Sequence, residues 1–245
     1  MLLAATGCVT EGAEDDQGDG DGKSDQAPGT LAPSYGMVLT STMKLEDSRE
    51  TDPAKRFSSI TLRARGVVTT KADGGSVALS IKLCDITLPI VSGFQPQLDA
   101  AFVTGLRPLE LTGTITDGTL TTRPAALVLG AQLADPLATA IPATSAGAFD
   151  QDGDGKPGVS ITIPNHGKIF SAMRVRLDMV TPLTGAMSTG TASIGLDQAI
   201  YGDDIFFYDA VSSFAESQQF VKLISSTNSV KLRSGQTTCA VVIAP

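Results

Sequence analysis

Three aspartates at alternate positions stand out in the stretch FDQDGDGKPGVSITI, because Asp150, Asp152 and Asp154 are followed directly by Gly155. Alternate spacing lets a tight loop turn all three carboxylates towards one cation. The glycine permits the backbone turn that would bring a main-chain carbonyl, that of Lys156, to the same ion. Without a cation, carboxylates a few ångströms apart repel each other by about 4 kcal/mol per pair at an effective dielectric constant near 20. We therefore expect this stretch to bind a metal ion.

The pattern Asp-x-Asp-x-Asp-Gly resembles the start of the calcium loops of EF-hands, dockerins and thrombospondin-type repeats, and the resemblance implies a bound calcium. The likeness is partial, because Ile161 stands where those loops carry a final acid, and a strand follows in place of a helix. We expect waters or borrowed ligands, with Asp135, Ser160 and Asn165 as candidates by proximity in sequence. The expected role is structural, with a dissociation constant of about 10⁻⁴–10⁻³ M. The alternative is an acidic turn that holds no metal.

The pentapeptide Asp-Gly-Asp-Gly-Lys of this loop occurs a second time, at residues 19–23. Asp19, Asp21 and Asp25 could take the third, fifth and ninth positions of the same pattern, but Gln17 stands at the first. No strand or helix is predicted beside this copy, and ordering such a segment costs about 1–2 kcal/mol per residue. We interpret it as a solvated spacer, with a second metal site as the alternative.

Catalysis has little support in the sequence. His166, in the stretch IPNHGK, is the single histidine, so a serine or cysteine nucleophile would depend on it. No G-x-S-x-G elbow is present, and neither a P-loop nor a glycine-rich dinucleotide motif follows a strand. We expect His166 to be a turn residue and the protein not to be an enzyme.

The N-terminal stretch MLLAATGCVTEG places a short apolar run and small residues before Cys8. This order resembles the end of a bacterial lipoprotein signal peptide, whose cysteine is acylated after cleavage. The resemblance implies that residues 1–8 are a truncated signal with the lipidation site, and that the precursor begins upstream. It also implies export, with a lipid anchor in the outer membrane or at the cell surface. The alternative is an unmodified cysteine in an irregular N-terminal segment.

Residues 9–34 combine acids, glycine, proline and serine with few large apolar side chains, so we expect a disordered acidic tether. Similar tracts follow the lipidated cysteine in lipoproteins of myxobacteria and related bacteria, and this resemblance is one of composition. The tether carries most of the net charge of −8, so the rest of the chain, which we call the body, is close to neutral. Nothing in the body has the basic pattern of a nucleic-acid-binding surface, and no apolar run is long enough to span a bilayer.

The chain has three cysteines, and assigning Cys8 to lipid leaves Cys84 and Cys239 as a pair. Both lie in or beside strand-like sequence, and an exported domain meets an oxidising compartment. We predict a disulfide between them, which would stabilise the fold by about 4–5 kcal/mol in the chain-entropy model. Two separate buried thiols are the alternative.

From Tyr35 onwards, apolar and polar residues alternate in one segment after another, as expected for strands with one buried face. Clear examples are SSITLRARG, SVALSIKL, LELTGTIT, VSITI and KIFSAMRVRLDM. Helical spacing occurs at residues 209–224, and a shorter helix is expected near residues 94–103. Residues 35–245 are therefore predicted to form one all-β, mostly antiparallel domain. A sandwich and a barrel of about eight to ten strands, with one or two short helices, both fit.

Two classes of function remain open. The first is a surface-anchored structural or interaction module that calcium and a disulfide stabilise. The second is a carrier of a hydrophobic small molecule or lipid inside a β-barrel, which would need an apolar interior that is partly empty.

Overall fold

The computed structural model describes residues 27, 29–73, 75–90, 94–205 and 221–243 of the chain. Within these ranges the chain forms eleven strands, two short α-helices and one turn of 3-10 helix. The strands are β1 (Ser34–Asp47), β2 (Phe57–Asp73), β3 (Ser76–Thr87), β4 (Gln97–Leu98), β5 (Leu109–Thr116), β6 (Thr119–Thr122), β7 (Ala125–Leu129), β8 (Val159–Ile163), β9 (Gly167–Pro182), β10 (Met187–Asp203) and β11 (Val221–Ser234). The helices are α1 (Ala100–Gly105) and α2 (Cys239–Ile243), and the 3-10 turn is Ser145–Gly147. The predicted all-β class is confirmed.

Eight of the strands form a hydrogen-bonded ring, in the order β1, β2, β3, β5, β6, β9, β10, β11 and back to β1. Every pairing in it is antiparallel. The ring closes at Thr191 of β10, which pairs with Val180 of β9 and with Ser229 of β11. Closure satisfies backbone groups that an open sheet would leave at its two edges. The arrangement is therefore barrel-like.

Strand β9 organises the part of the fold outside the ring. One of its edges pairs with β10. The other edge pairs in succession with β8 at residues 167–171, with β7 at residues 173–177 and with β6 at residues 180–182. The two residues of β4 add to β8. Because β8 follows the aspartate-rich loop directly, β9 determines where that loop lies.

The side chains that face the ring interior form one hydrophobic cluster. They come from alternate residues of the strands, as the period-two pattern predicts. The largest of them are less than 2% exposed: Tyr35, Met37, Leu79, Ile81, Leu111, Leu120, Met179 and Leu232. A second cluster, under α1, joins Leu106 to Leu129, Val159, Ile161 and Met173 of β7, β8 and β9. Burying each such side chain contributes about 1.5–3 kcal/mol.

The chain before β1 also packs against this core. The N–H of Gly29 donates to the carbonyl of Leu183 at 2.7 Å, and the N–H of Ala32 donates to the hydroxyl of Tyr35 at 2.7 Å. Ala32 is buried in the ring cluster. The packed region thus includes residues 29–33, within the range that composition assigns to the tether.

The two helix predictions have different outcomes. The short one is confirmed in part, because α1 begins at Ala100 whereas residues 97–98 form β4. The side chain of Asp99 caps α1 by accepting from the N–H of Phe102 at 2.8 Å. Of the longer one, residues 209–220 lie outside the described residues. Its last four residues, 221–224, form the start of β11 and not a helix, so the prediction is wrong there. The pairing of β11 with β1 skips Ile224, and this β-bulge breaks the alternation that would have marked a strand.

Among the described residues, neither helix has the length and hydrophobicity needed to cross a lipid bilayer.

The predicted disulfide is confirmed: Cys84 of β3 is bonded to Cys239 of α2, and the Cα atoms are 5.2 Å apart. It holds α2 on the ring's outer surface, where Val67, Cys84 and Val242 form a small buried cluster. Since 155 residues separate the two cysteines, the crosslink restricts much of the unfolded chain.

A buried arginine holds the long connection between β7 and β8, residues 130–158. The side chain of Arg174, on β9, is 7% exposed, and its Nη1 donates to the carbonyl oxygens of Pro136 and Thr139 at 3.2 and 2.6 Å. Its Nε donates to Asp197 of β10 at 2.7 Å. Arg176, two residues along β9, also contacts Asp197, at 3.1 Å, but is 42% exposed. The connection that carries the aspartates is therefore tied to β9 by a charged side chain.

Replacing Arg174 by Met should lower the free energy of unfolding by about 3 kcal/mol, because the carbonyls of Pro136 and Thr139 lose this donor and Asp197 is left with the exposed Arg176. Arg176→Met is the matched control on the same strand and partner, and should cost less than about 1 kcal/mol because the pair is exposed. Urea unfolding measures both, and limited proteolysis should cut residues 130–158 faster in Arg174→Met. Equal effects of the two substitutions would contradict the role assigned to Arg174.

Candidate metal centre

The aspartate-rich loop spans residues 150–158 and leads into β8. Its backbone turns depend on glycine, because Gly155 has φ of 81° and Gly158 has φ of 94°. A Cβ at Gly158 would also collide with the carbonyl oxygen of Ser171, on β9. The base of the loop is closed by the N–H of Gln151, which donates to the carbonyl of Gly158 at 3.1 Å. The loop is thus a tight turn held directly against β9.

The three aspartates converge as the spacing predicts. One oxygen each from Asp150, Asp152 and Asp154 lies within 4.8 Å of the others, so the group could hold a metal ion. Asp150 accepts from the N–H groups of Gly153 and Gly155 at 2.8 and 3.0 Å. These bonds inside the loop compensate part of the charge, yet three carboxylates at this separation still repel one another.

Asp152 is the least exposed of the three aspartates. Its Oδ2 accepts from the N–H of Ser160 at 2.8 Å, which links the loop to β8. Its Oδ1 is buried and has no hydrogen-bond partner among the described residues. Leaving a charged oxygen buried and unpaired costs more than the 1–3 kcal/mol typical of a neutral group. A cation at this position would remove that cost.

Asp154 is the carboxylate with the strongest side-chain partners. Its Oδ2 accepts from the hydroxyl of Ser160 at 2.6 Å and from the ammonium of Lys168 at 3.1 Å. The hydrogen bond from Ser160, more than the contact with Lys168, holds the pKa of Asp154 below its ordinary value despite partial desolvation. The carboxylate is therefore kept ionised, as a metal ligand must be.

Lys156 contributes to the loop through its main chain and its side chain in different ways. Its N–H donates to Asp154 Oδ1 at 3.0 Å. Its ammonium lies 5.1 Å from the centre of the Phe170 ring, a cation–π contact that attaches the loop to β9. The proposed role of its carbonyl oxygen as a metal ligand stays a prediction.

Of the three additional ligands expected from proximity in sequence, only Ser160 contacts the aspartates. Asp135 is not part of the carboxylate group, and its Oδ1 accepts from the N–H groups of Leu137 and Ala138 in a separate turn. Asn165 occupies the turn between β8 and β9 with φ of 65°, and no contact between it and the three carboxylates is found in the described part of the chain. The turn before β9 requires that conformation and explains the asparagine.

His166 lies in the same turn, as expected, and its ring packs edge-on against Phe94 at 4.4 Å. This contact gives the imidazole a packing role. The expectation that the protein is not an enzyme stays a prediction.

An open groove begins at the aspartate-rich loop, residues 150–158, which we call the metal loop because of its candidate site. It has a volume of about 970 Å³ and runs between the loop, β7 and α1. Asp152, Asp154, Ser160 and Lys168 line it at the loop, and Arg107 lines it beyond α1. Neither the groove nor Lys168 was identified from the sequence. Lys168 lies close to the loop only because β8 pairs with β9, which places Lys168 opposite Thr162. No periodic or spacing signal in the sequence reports that proximity.

Cys8, where the sequence predicts lipidation, lies outside the described residues, as do the acidic segment 9–26 and the first pentapeptide copy at residues 19–23.

Comparison with known protein families finds none that matches the chain, and comparison with curated proteins finds no significantly similar sequence.

The substitution Ser160→Ala tests the charge state of the loop, because the Ser160 hydroxyl contributes most to the lowered pKa of Asp154. The lowered pKa of Asp154 in the folded state stabilises the fold. This contribution is fully present when the pH is above the ordinary pKa of 3.8, and it disappears as the pH falls through the lower pKa of the folded state. With a chelator present, Ser160→Ala should therefore be less stable than the wild type at about pH 5–7, and the difference should shrink in more acidic solution. Urea unfolding at a series of pH values measures this. A difference that does not change with pH would show that the hydroxyl acts through packing alone.

Proposed function

We propose that this chain is a calcium-binding β-domain, tethered to a bacterial envelope by lipid, that serves as a structural or interaction module. One observation carries the metal part of the proposal, the buried and unpartnered Oδ1 of Asp152 within the group of three carboxylates. A divalent cation would give that oxygen a partner and would offset the mutual repulsion of the group.

The chemistry of the donor atoms supports calcium as the ion. All three side-chain ligands of the group are carboxylates, which suit hard cations and not the softer transition metals. Calcium accepts six to eight oxygens in a flexible geometry, whereas magnesium demands a near-ideal octahedron. A loop with three carboxylates, a hydroxyl and a main-chain carbonyl fits the more permissive ion.

The position of the loop supports a structural role. The side chain of Gln151 accepts from the N–H of Gly130 at 2.7 Å, so the loop already contacts the start of its own connection. An ion held by the three aspartates would join the end of residues 130–158 to β8. It would stabilise a connection that has little regular structure of its own.

Calcium at 10 mM should stabilise the wild-type chain by about 1.4–2.7 kcal/mol, if the dissociation constant lies between about 10⁻³ and 10⁻⁴ M. For a chain of this size, that corresponds to a rise in Tm of about 3–10 °C. Asp152→Asn should abolish the rise, because the amide keeps the shape of the side chain but loses its charge. Thermal melting in calcium and in EDTA measures both.

Asp135→Asn is the matched control for this experiment. It removes a nearby carboxylate that lies outside the group, and the amide oxygen retains the turn's hydrogen bonds. It should respond to calcium like the wild type. The metal assignment fails if the wild type melts at the same temperature in calcium and in chelator.

The lipid anchor is supported by the order of residues around Cys8 and by the acidic composition that follows it. Gly29, near the start of the described residues, contacts Leu183, directly after β9 ends, whereas the metal loop adjoins Ser171. Ser171 and Leu183 are separated by about 40 Å of extended chain at about 3.3 Å per residue. In this proposal, the anchor attaches near one end of β9, and the metal loop and groove lie far along it.

Expression of the precursor in a Gram-negative host should yield a membrane-associated protein whose N-terminal residue is acylated Cys8. Cys8→Ser should move the protein to the soluble fraction, because acylation requires the thiol. Mass measurement of the mature N-terminal peptide checks the modification. An unmodified Cys8 peptide in membrane-associated protein would contradict the anchor.

The carrier alternative has no comparable support. The inward side chains of the ring, including Tyr35, Met37 and Leu232, pack against one another in a single cluster. A ligand inside the ring would have to displace them.

A further inference from the structure

The groove between α1 and the metal loop combines features that a ligand site requires. Its volume of about 970 Å³ lies at the upper end of the range for small-molecule sites. Phe102, Leu106, Leu127 and Phe149 supply apolar surface. Phe149 is 42% exposed, so part of its side chain is accessible at the groove. We call this surface the α1 groove.

The α1 groove meets the metal loop at Asp152, Asp154 and Ser160, which line both. With one oxygen from each of the three carboxylates, the Ser160 hydroxyl and the Lys156 carbonyl proposed above, the protein would supply about five oxygens. An ion that prefers six to eight oxygens would therefore keep coordination positions for exchangeable water or ligand. Because two of the three carboxylates line the α1 groove, positions on the ion that face the groove are accessible to a molecule lying in it.

A bound divalent ion would make the α1 groove much less negative. Without the ion, the loop end presents Asp152 and Asp154, with Lys168 paired to the latter at 3.1 Å. A divalent ion would offset two of the three negative charges of Asp150, Asp152 and Asp154, and Lys168 would offset the third. Asp99 also lines the groove, at the start of α1. Arg107 is exposed and also lines the groove, and no ion pair of its side chain is found among the described residues. The occupied site would thus present a metal and two cationic side chains beside an apolar surface.

We propose that the metal-loaded α1 groove binds a small amphipathic carboxylate, whose carboxyl group coordinates the ion and whose apolar body lies against Phe102, Leu127 and Phe149. The inference rests on the calcium site proposed above. It assigns to that site a binding role in addition to its structural one. The ligand class follows from the open positions on the ion, the two cationic side chains and the apolar lining.

Octanoate is a suitable probe, and europium(III) is a suitable substitute for calcium, because the luminescence lifetimes of europium in H₂O and D₂O count the waters it coordinates. The full 245-residue chain should hold europium with about two to four waters. Octanoate should displace at least one of them in a saturable manner, whereas octanol and octylammonium should not. Calorimetry should show saturable octanoate binding in calcium and none in EDTA.

Two pairs of variants separate the contributions of charge and apolar contact. Arg107→Gln should weaken octanoate binding about tenfold, as expected for loss of a charge-assisted contact, and Arg123→Gln, an exposed arginine outside the groove, should not. Phe149→Ser should also weaken binding. Leu137→Ser is its control, because Leu137 is 40% exposed and lies outside the groove.

The outcomes distinguish this inference from the calcium proposal. If calcium raises the Tm but octanoate neither displaces water nor binds, the calcium site stands and the ligand inference is overturned. Equal octanoate binding in calcium and in EDTA also overturns it, because the carboxylate would not be on the metal. If the chain binds neither calcium nor europium, both proposals fail.

Discussion

The hydrogen bonds along the two edges of β9 are the constraint on which the rest of the structure depends. One edge joins β10 and so closes the ring, and the other holds β6, β7 and β8 in succession. The first of these three completes the ring, and the other two extend the sheet outside it. Because one strand serves both regions, the position of the metal loop relative to the core is set by backbone pairing.

Electrostatics then determine how the long connection lies on this sheet. Arg174 is buried and satisfied by Asp197 and by carbonyls of the connection, so it ties irregular chain to β9. The aspartate-rich loop has an excess of negative charge, because three acids are gathered there and, among the described residues, only Lys168 forms an ion pair with them. Main-chain N–H groups and the Ser160 hydroxyl reduce the repulsion, but one oxygen of Asp152 is buried and has no partner in the described part of the chain. The first site is internally compensated and the second is not, which is the physical basis for assigning a cation to the second.

The stabilising core and the candidate metal site lie in different parts of the structure. The ring interior is filled by side chains that contact one another, and the disulfide holds α2 against its outer surface. The polar residues that could bind something, and the groove beside them, belong to the connection, to α1 and to β8. Irregular chain placed on a rigid sheet is a common arrangement for binding residues.

The sequence by itself determined the all-β class, the convergence of the three aspartates and the pairing of Cys84 with Cys239, because each follows from local spacing or from cysteine number. It also indicated α1, where an aspartate caps a short apolar helix. The tertiary structure decided three other features, because each depends on partners distant in sequence. These features are the closure of the ring, the strand conformation of the first residues of β11 and the contacts of Arg174 with the connection. The same is true of the site: spacing brought Asp150, Asp152 and Asp154 together, but only the pairing of β8 with β9 added Lys168, excluded Asp135 and left a groove beside them. Local chain geometry gathers like charges, whereas long-range backbone pairing decides which other charges and surfaces surround them.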